Sequence, residues 1–283
     1  MNKLENKVSK LLNRQYCLLT GSGTTSMYLI FLTFKKSSIV VFPTITCIQA
    51  VNAAVFAGMI PVFCDVNLSD FTMNTKSLKK VLAKYKNIKA IVPTHVFGHS
   101  CDVNKIISIA RKKNIFILED AAQSFGSKIN NQMTGSFGNA SVVSFGHSKI
   151  LDCGGGGGIL TDDLRLHNLI RILYKKIPNQ IKHSEDLVNK YRQTYYNTRN
   201  STDNDKRFWQ QLNKVQFLFK DVFIYKINRK IENKINKALK TLKKNIKERN
   251  KRLNLYKKYL KSYKFKHSKS KNGSVCWRYT FLY

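Results

Sequence analysis

Acidic residues are scarce in this chain: 16 Asp and Glu face 50 Lys and Arg, a formal net charge of +34 over 283 residues. Only four prolines and 14 glycines are present, which excludes collagen-like and proline-rich repeats. No apolar run reaches the roughly 18–20 residues that a membrane-spanning helix needs. The opening MNKLENKVSKLL sets charged residues where a secretory leader requires an apolar stretch. Six cysteines (Cys17, Cys47, Cys64, Cys101, Cys153 and Cys276) include no C-x-x-C pair, so reduced thiols are expected rather than a disulfide framework or a zinc site. What is present is enough for a packed core, with 43% hydrophobic and 11% aromatic residues. These features imply a cytoplasmic protein with no metal and no membrane partner.

Charge and pattern divide the chain. Residues 1–163 carry a net charge of +9, and residues 164–283 carry +25. The first part alternates apolar runs with turn signals: Ser38–Phe42, Pro61–Asp65, Ala90–Pro93, Ile115–Asp120, Ala140–Phe145 and Gly158–Thr161. Runs of this length, rich in Val, Ile and Phe, are those of buried strands with helices between them. From about Phe208 to Tyr263 there is neither Pro nor Gly, and apolar residues recur every three or four positions among lysines, the pattern of amphipathic helices. The expected fold is α/β: three layers, a mostly parallel sheet with helices on both faces, then a basic helical C-terminal extension. The expected division is residues 1–180 and residues 181–283.

The basic excess has a sharp reading, a polyanion-binding surface, and a plain one, lysines solvating helix faces. No RNA- or DNA-binding signature accompanies the charge, so nucleic acid is not expected as a partner. Tyr256, Tyr259 and Tyr263 share the helical spacing and are read as that helix's packed stripe.

Three segments carry chemistry. In Leu19-Thr-Gly-Ser-Gly-Thr-Thr-Ser-Met, a Gly/Ser/Thr cluster leads into an apolar helix starting near Thr24. The free N–H groups of a first helical turn form an anion site, with Gly21 and Gly23 allowing close approach and Thr24 and Thr25 adding hydroxyls; plain helix capping would explain the same residues. In Ile115-Phe-Ile-Leu-Glu-Asp-Ala-Ala-Gln-Ser-Phe-Gly, an apolar strand ends in two acids. A carboxylate at such a strand end can hold a protonated ring nitrogen; for Glu119 the better reading is a cap on a following helix. In Ser144-Phe-Gly-His-Ser-Lys149-Ile-Leu-Asp-Cys, one lysine stands between a strand and five consecutive glycines, Gly154–Gly158. A Schiff-base lysine suits that setting, because burial beside other positive charge favours the neutral amine and glycines leave room for a flat cofactor.

Taken together, the segments resemble the DegT/StrS-type nucleotide-sugar aminotransferases, pyridoxal-phosphate enzymes of the aspartate aminotransferase fold type. The resemblance runs from about Asn2 to Asp163. It also includes Phe42-Pro-Thr-Ile-Thr, Ala57-Gly-Met-Ile-Pro-Val-Phe-Cys-Asp65 and Pro93-Thr-His-Val-Phe-Gly98. It implies that Lys149 bonds the cofactor and moves protons, that Asp120 pairs with the pyridine nitrogen and that Gln123 lies near the phenolic oxygen. Gly23, Thr24, Thr25 and Ser144 match the phosphate-binding positions. The keto-sugar dehydratases related to the family have histidine where Lys149 stands, so the lysine implies transamination. The implied substrates are an amino-acid donor, glutamate in most of the family, and a nucleotide-linked keto-sugar; the implied assembly is a homodimer.

The chain departs from the family pattern in several places. Cys47 stands where an aromatic ring usually covers the cofactor, and an acid usual in the glycine segment is replaced within Gly154–Gly158. Against the family pattern the chain is shorter at both ends, and Val275–Tyr283 matches the first strand of the family's C-terminal small domain. The segment Tyr195-Tyr-Asn-Thr-Arg199 corresponds to an Asn-x-Arg motif that reaches the partner subunit's cofactor, which adds Asn197 to the candidate site. Two other readings therefore stand beside the aminotransferase: a shortened remnant of the fold that binds without turnover, and a basic polyanion-binding module.

Overall fold

A computed structural model describes residues 1–180, 184–200, 205–261, 266–269 and 271–282. Asn2 starts the first helix, its side chain accepting the Leu4 and Glu5 N–H groups while Glu5 bonds back to the Asn2 N–H, a reciprocal cap. The helix is α1 (Lys3–Leu11). There follow β1 (Tyr16–Thr20), α2 (Gly23–Phe31), β2 (Ile39–Pro43), α3 (Ile48–Phe56) and β3 (Ile60–Cys64). Next come α4 (Thr75–Lys84), β4 (Ile88–Ile91), α5 (Val103–Arg111) and β5 (Phe116–Asp120). A small hairpin, β6 (Lys128–Ile129) with β7 (Gln132–Met133), precedes β8 (Ala140–Ser144) and β9 (Gly157–Thr161). The remainder is α6 (Leu164–Lys175), α7 (Ser184–Asn200), α8 (Asp205–Leu218), α9 (Arg229–Lys240) and α10 (Leu242–Tyr259), then the short pair β10 (Lys266–His267) and β11 (Phe281–Leu282).

Seven strands form one sheet in the order β1-β9-β8-β5-β4-β2-β3. Only β9 runs against its neighbours; the pairs β8–β5, β5–β4, β4–β2 and β2–β3 are parallel. The period of two along each strand divides the core between the faces. Leu18, Val40, Phe42, Leu118, Val142 and Ile159 pack with Met27, Ile30, Ala53 and Ile170 from α2, α3 and α6. Cys17, Leu19, Val143 and Leu160 point to the other face, against Val8 of α1, Leu12 at its C-cap, and Ile235 and Leu239 of α9. Val41, Ile91 and Ile117 meet Leu78, Leu82, Ile106 and Ala110 of α4 and α5 on that same side. The three-layer α/β fold expected from the sequence is the fold observed.

The six apolar runs correspond to β2, β3, β4, β5, β8 and β9, and the helix expected near Thr24 is α2, which starts at Gly23. β1 was not among them: YCLLT is too short to distinguish a strand from the approach to a helix. The tyrosine stripe is a correction. Tyr256 and Tyr259 are 52% and 69% exposed, while α10 turns Leu242, Ile246 and Leu253 inward. Tyr256 instead stacks on Tyr279, ring centres 5.1 Å apart. Tyr263 lies outside the described residues. The matched C-terminal strand is brief, only Phe281 and Leu282 pairing, with His267 and Lys266. All six cysteines are free, and no described helix is long and apolar enough to cross a membrane.

Candidate active site

The topology gathers the candidate residues at one edge of the sheet. β1, β5 and β8 end there and β9, running the other way, begins there, so Thr20 lies beside Gly157 and Gly157 beside Ser144. This is the carboxyl end of the parallel strands, where α/β sheets hold ligands.

β1 passes into α2 through Gly21 and Ser22. Ser22 caps the helix, its hydroxyl accepting the Thr25 N–H at 2.9 Å. Main chains are nearly in contact here: a Cβ on Gly157 would overlap the Ser22 carbonyl, and one on Gly21 would overlap Tyr225. Gly23 faces Ser144, with a Cβ built on it 3.2 Å from the Ser144 Cβ. The first N–H groups of α2 have no helical partner, and the half-buried Thr24 hydroxyl bonds no described residue. Thr25 is different. It is fully buried, and its hydroxyl is committed to Ser22, to the carbonyls of Phe223 and Tyr225 and to the Tyr225 N–H. It fastens the 223–225 segment over the start of α2.

Asp120 ends β5 at 1% exposure. Its N–H bonds the Pro93 carbonyl and its carbonyl accepts the His95 N–H. Oδ1 accepts the Ala122 N–H at 3.0 Å, and Oδ2 accepts from no described residue. Burial pushes this carboxyl above its usual value, against the Ala122 hydrogen bond and the positive charge of Lys149. Gln123 is also buried and accepts the Phe97 N–H through Oε1, which leaves its amide N–H groups to donate.

Lys149 sits in the loop joining β8 to β9, half-buried. Ser148 before it has φ of 60°, a left-handed turn held by Asp152, whose carboxylate accepts the Ser148 and Gly154 N–H groups at 2.8 and 2.9 Å. The Ser148 carbonyl accepts the Trp277 indole N–H, and Lys149 Nζ lies 4.8 Å from the centre of that indole ring. Arg249 donates to the Lys149 carbonyl at 3.4 Å. Asp152, Trp277, Arg249 and Tyr225 escaped the reading of the sequence. Asp152 alone had a local signal, an acid at the foot of the glycine run.

Glu119 corrects a second expectation. No helix follows β5 for it to cap. Its buried carboxylate accepts the N–H groups of Gly135, Phe137 and Gly138 and the Nε2–H of His95 at 2.8 Å. The Cys101 N–H donates to His95 Nδ1, so that nitrogen is an acceptor and the ring presents a proton on Nε2 to Glu119. Burial alone would raise the Glu119 carboxyl; the His95 and main-chain hydrogen bonds overcome it and hold the group below its usual value.

Lys149, Asp120, Gln123, Gly23, Thr24 and Ser144 thus converge on one strand edge, and Thr25 braces it from behind. Asn197 is exposed on α7, with no hydrogen bond to any of them. Cys47 is exposed at the start of α3 and makes no capping bond.

A profile of the DegT/DnrJ/EryC1/StrS aminotransferase family matches residues 1–283. GDP-perosamine synthase from Escherichia coli O157:H7 is 32% identical over 170 residues, 59% of this chain and 46% of that protein. A UDP-N-acetyl-3-dehydro-alpha-D-glucosamine 3-aminotransferase from Acidithiobacillus ferrooxidans is 33% identical over 171 residues, again 59% and 46%. The crystal structure of a DegT DnrJ EryC1 StrS aminotransferase from Brucella abortus superposes with a TM-score of 0.75 at 24% identity, over 99% of this chain and 68% of that one. An E. coli GDP-4-keto-6-deoxy-D-mannose-3-dehydratase with bound hydrated PLP gives 0.74 at 19% identity, over 99% and 70%. At those identities the two structures speak for the fold. The chain spans about half the length of the curated relatives it matches.

Proposed function

The chain belongs to the DegT/DnrJ/EryC1/StrS aminotransferase family, and on that premise we propose that it binds pyridoxal 5'-phosphate and moves an amino group from an amino acid, glutamate, to a nucleotide-linked keto-sugar in two half-reactions. The observation that carries this is the buried Asp120, one of whose carboxylate oxygens accepts from no described residue, at the same sheet edge as Lys149 and the start of α2. A buried carboxylate with a vacant lone pair wants a cationic donor, which the N–H of a pyridinium is.

The residues fit the cofactor's parts. The opening turn of α2 and the hydroxyls of Thr24 and Ser144 would hold the phosphate. Asp120 would keep the proton on the ring nitrogen, and Gln123 would donate to the phenolic oxygen. Bound there, pyridoxal phosphate supplies a carbonyl that captures amines and a ring that withdraws electrons from the adjoining carbon. Lys149 Nζ would provide the amine that anchors the group, then take and return the proton on the reacting carbon. Residues 1–180 form the platform in this reading and 181–283 its cover, in the cytoplasm. Asn197 enters it through a second copy of the chain.

The test is purification with added pyridoxal phosphate, a visible absorption spectrum, borohydride reduction and peptide mapping. The expected result is a yellow protein with a pyridoxyl group fixed on Lys149, bleached by glutamate and absent from Lys149→Ala. A colourless protein without adduct would overturn the reading.

A further inference from the structure

Phe97 holds a backbone conformation that its side chain disfavours. Among the described residues other than glycine with left-handed φ, all are asparagine or serine except Phe71 and Phe97. Phe97 has φ of 57° and ψ of 12°, where a bulky L-residue is strained. Its surroundings hold it there. The ring stacks on the Trp277 indole, centres 6.4 Å and planes 13° apart, and meets Phe71 edge to face at 6.0 Å. The Phe97 carbonyl accepts the Trp277 N–H at 3.0 Å. Next along the chain, the Gly98 carbonyl accepts from the Ser127 hydroxyl, which itself accepts the Val275 N–H. A Cβ on Gly98 would overlap the Val275 carbonyl, so the segment 275–277 clamps the turn closely.

The use of the strain lies on the other side of the same residue. The Phe97 N–H donates to Gln123 Oε1 at 3.0 Å, and two residues earlier the His95 N–H donates to the Asp120 carbonyl at 3.0 Å. One short segment therefore bonds both residues assigned to the cofactor ring. A glutamine amide can turn end for end at no cost in volume, exchanging its acceptor for its donors. A main-chain N–H can only donate, so it fixes Oε1 toward Phe97 and leaves the N–H₂ as the end that donates elsewhere. The positive φ sets the angle between the N–H that meets Gln123 and the carbonyl that meets Trp277. We propose that Phe97 is a positioning residue of the cofactor site: clamped in its left-handed turn by Trp277, it turns the Gln123 amide donors toward the phenolic oxygen. The inference rests on the reading of Gln123 as the partner of that oxygen.

The experiment compares Phe97→Asn with Phe97→Val. Both remove the ring, but asparagine tolerates a positive φ and a β-branched residue does not. The whole chain is loaded with pyridoxal phosphate and its visible band is titrated with pH. Gln123→Ala gives the shift caused by losing the amide, expected to be about one pH unit. Phe97→Val is expected to reproduce that shift, and Phe97→Asn to stay within about 0.3 unit of the parent. Equal shifts in the two Phe97 variants, or a parent-like midpoint in Phe97→Val, would overturn the positioning role and leave the cofactor reading standing. A Gln123→Ala midpoint equal to the parent's would overturn the assignment of Gln123 and the inference with it. A second measurement needs neither the cofactor nor the valine variant: hydrogen exchange of the residue-97 amide in the cofactor-free chain. Exchange is expected to be about tenfold faster in Gln123→Ala and in Trp277→Ala and parent-like in Phe97→Asn. Unchanged exchange in Gln123→Ala and Trp277→Ala would overturn the clamp. A chain that takes up no pyridoxal phosphate but shows this exchange pattern loses the aminotransferase reading and keeps the Phe97–Gln123 bond.

Discussion

The sheet edge is held by main-chain ladders, whereas the C-terminal segment lying across it is held by scattered main-chain bonds together with long side chains. Thr20, Gly157 and Ser144 stand in adjacent strands and are located by main-chain ladders; Asp120 is located by main-chain bonds to Pro93 and His95. The C-terminal segment adds side chains reaching carbonyls, Arg249 to Lys149 and Trp277 to Ser148, to main-chain bonds that join Gly21 with Tyr225, Lys128 with Gly273 and Trp277 with Phe97. A ladder sets position almost regardless of side-chain identity. A long side chain that must be ordered to reach one carbonyl gives up rotamer freedom for each bond. The sheet edge is therefore expected to be sensitive to volume and the C-terminal segment to the loss of single groups, with the C-terminal segment expected to open first.

The largest expected effect is on the platform. Gly157→Ala forces a Cβ into the Ser22 carbonyl, where main chain cannot yield cheaply, and should lower the unfolding free energy by about 3 kcal/mol or more in urea titrations. Ile235→Ala asks how far α9 belongs to the same core. Ile235 is fully buried against the α1 side of the sheet, so about 3 kcal/mol is expected; a loss below about 1 kcal/mol would place α9 outside the cooperative unit. Glu119→Gln should cost about 2 kcal/mol, because an amide N–H₂ cannot accept the main-chain donors it would then face. That difference carries a pH signature. Glu119 is held low in the folded chain, so its contribution is complete above the ordinary Glu range and fades as pH falls through the lowered value.

Asp120→Asn should act in the opposite direction. Its carboxyl is raised by burial in the folded chain, so folding is opposed as pH rises above the ordinary Asp value, and the penalty is complete above the raised one. Without cofactor the variant is expected to melt about 2–4 °C higher than the parent at pH 8, with the gap closing below the ordinary Asp range and pyridoxal phosphate retention reduced. Tyr259→Ser, on the exposed face of α10, should change stability by less than about 0.5 kcal/mol.

The parts legible in the sequence are those whose signal is local. Buried parallel strands read as continuous apolar runs, and Asp120, Ser144 and Lys149 stand at or just beyond the ends of such runs. Partnerships across the fold leave no periodic trace. Arg249 meets the carbonyl of a residue 100 positions away, and Trp277 meets one 129 positions away. Glu119 was misread because an acid at a strand end before small residues has the form of a helix cap, while its donors arrive from 16 to 19 residues downstream. Tyr256 and Tyr259 kept the helical period but not the packed face. In a helix this rich in lysine, aliphatic and aromatic positions compete for the same turn.

The pairing of β1 with β9 bears on the order in which the chain acquires its shape during synthesis. Tyr16 is made early and its partner, Thr161, much later, so the first strand waits unpaired while the middle of the sheet assembles beside it. Chains fold from the N-terminus as they emerge, and distant strand pairing is slow because the intervening loop must be closed. Nascent chains halted before Gly157 should leave the α1–β1 region open to protease, and chains extended just past Thr161 should protect it. Protection of that region before β9 exists would show that α1 docks without its strand.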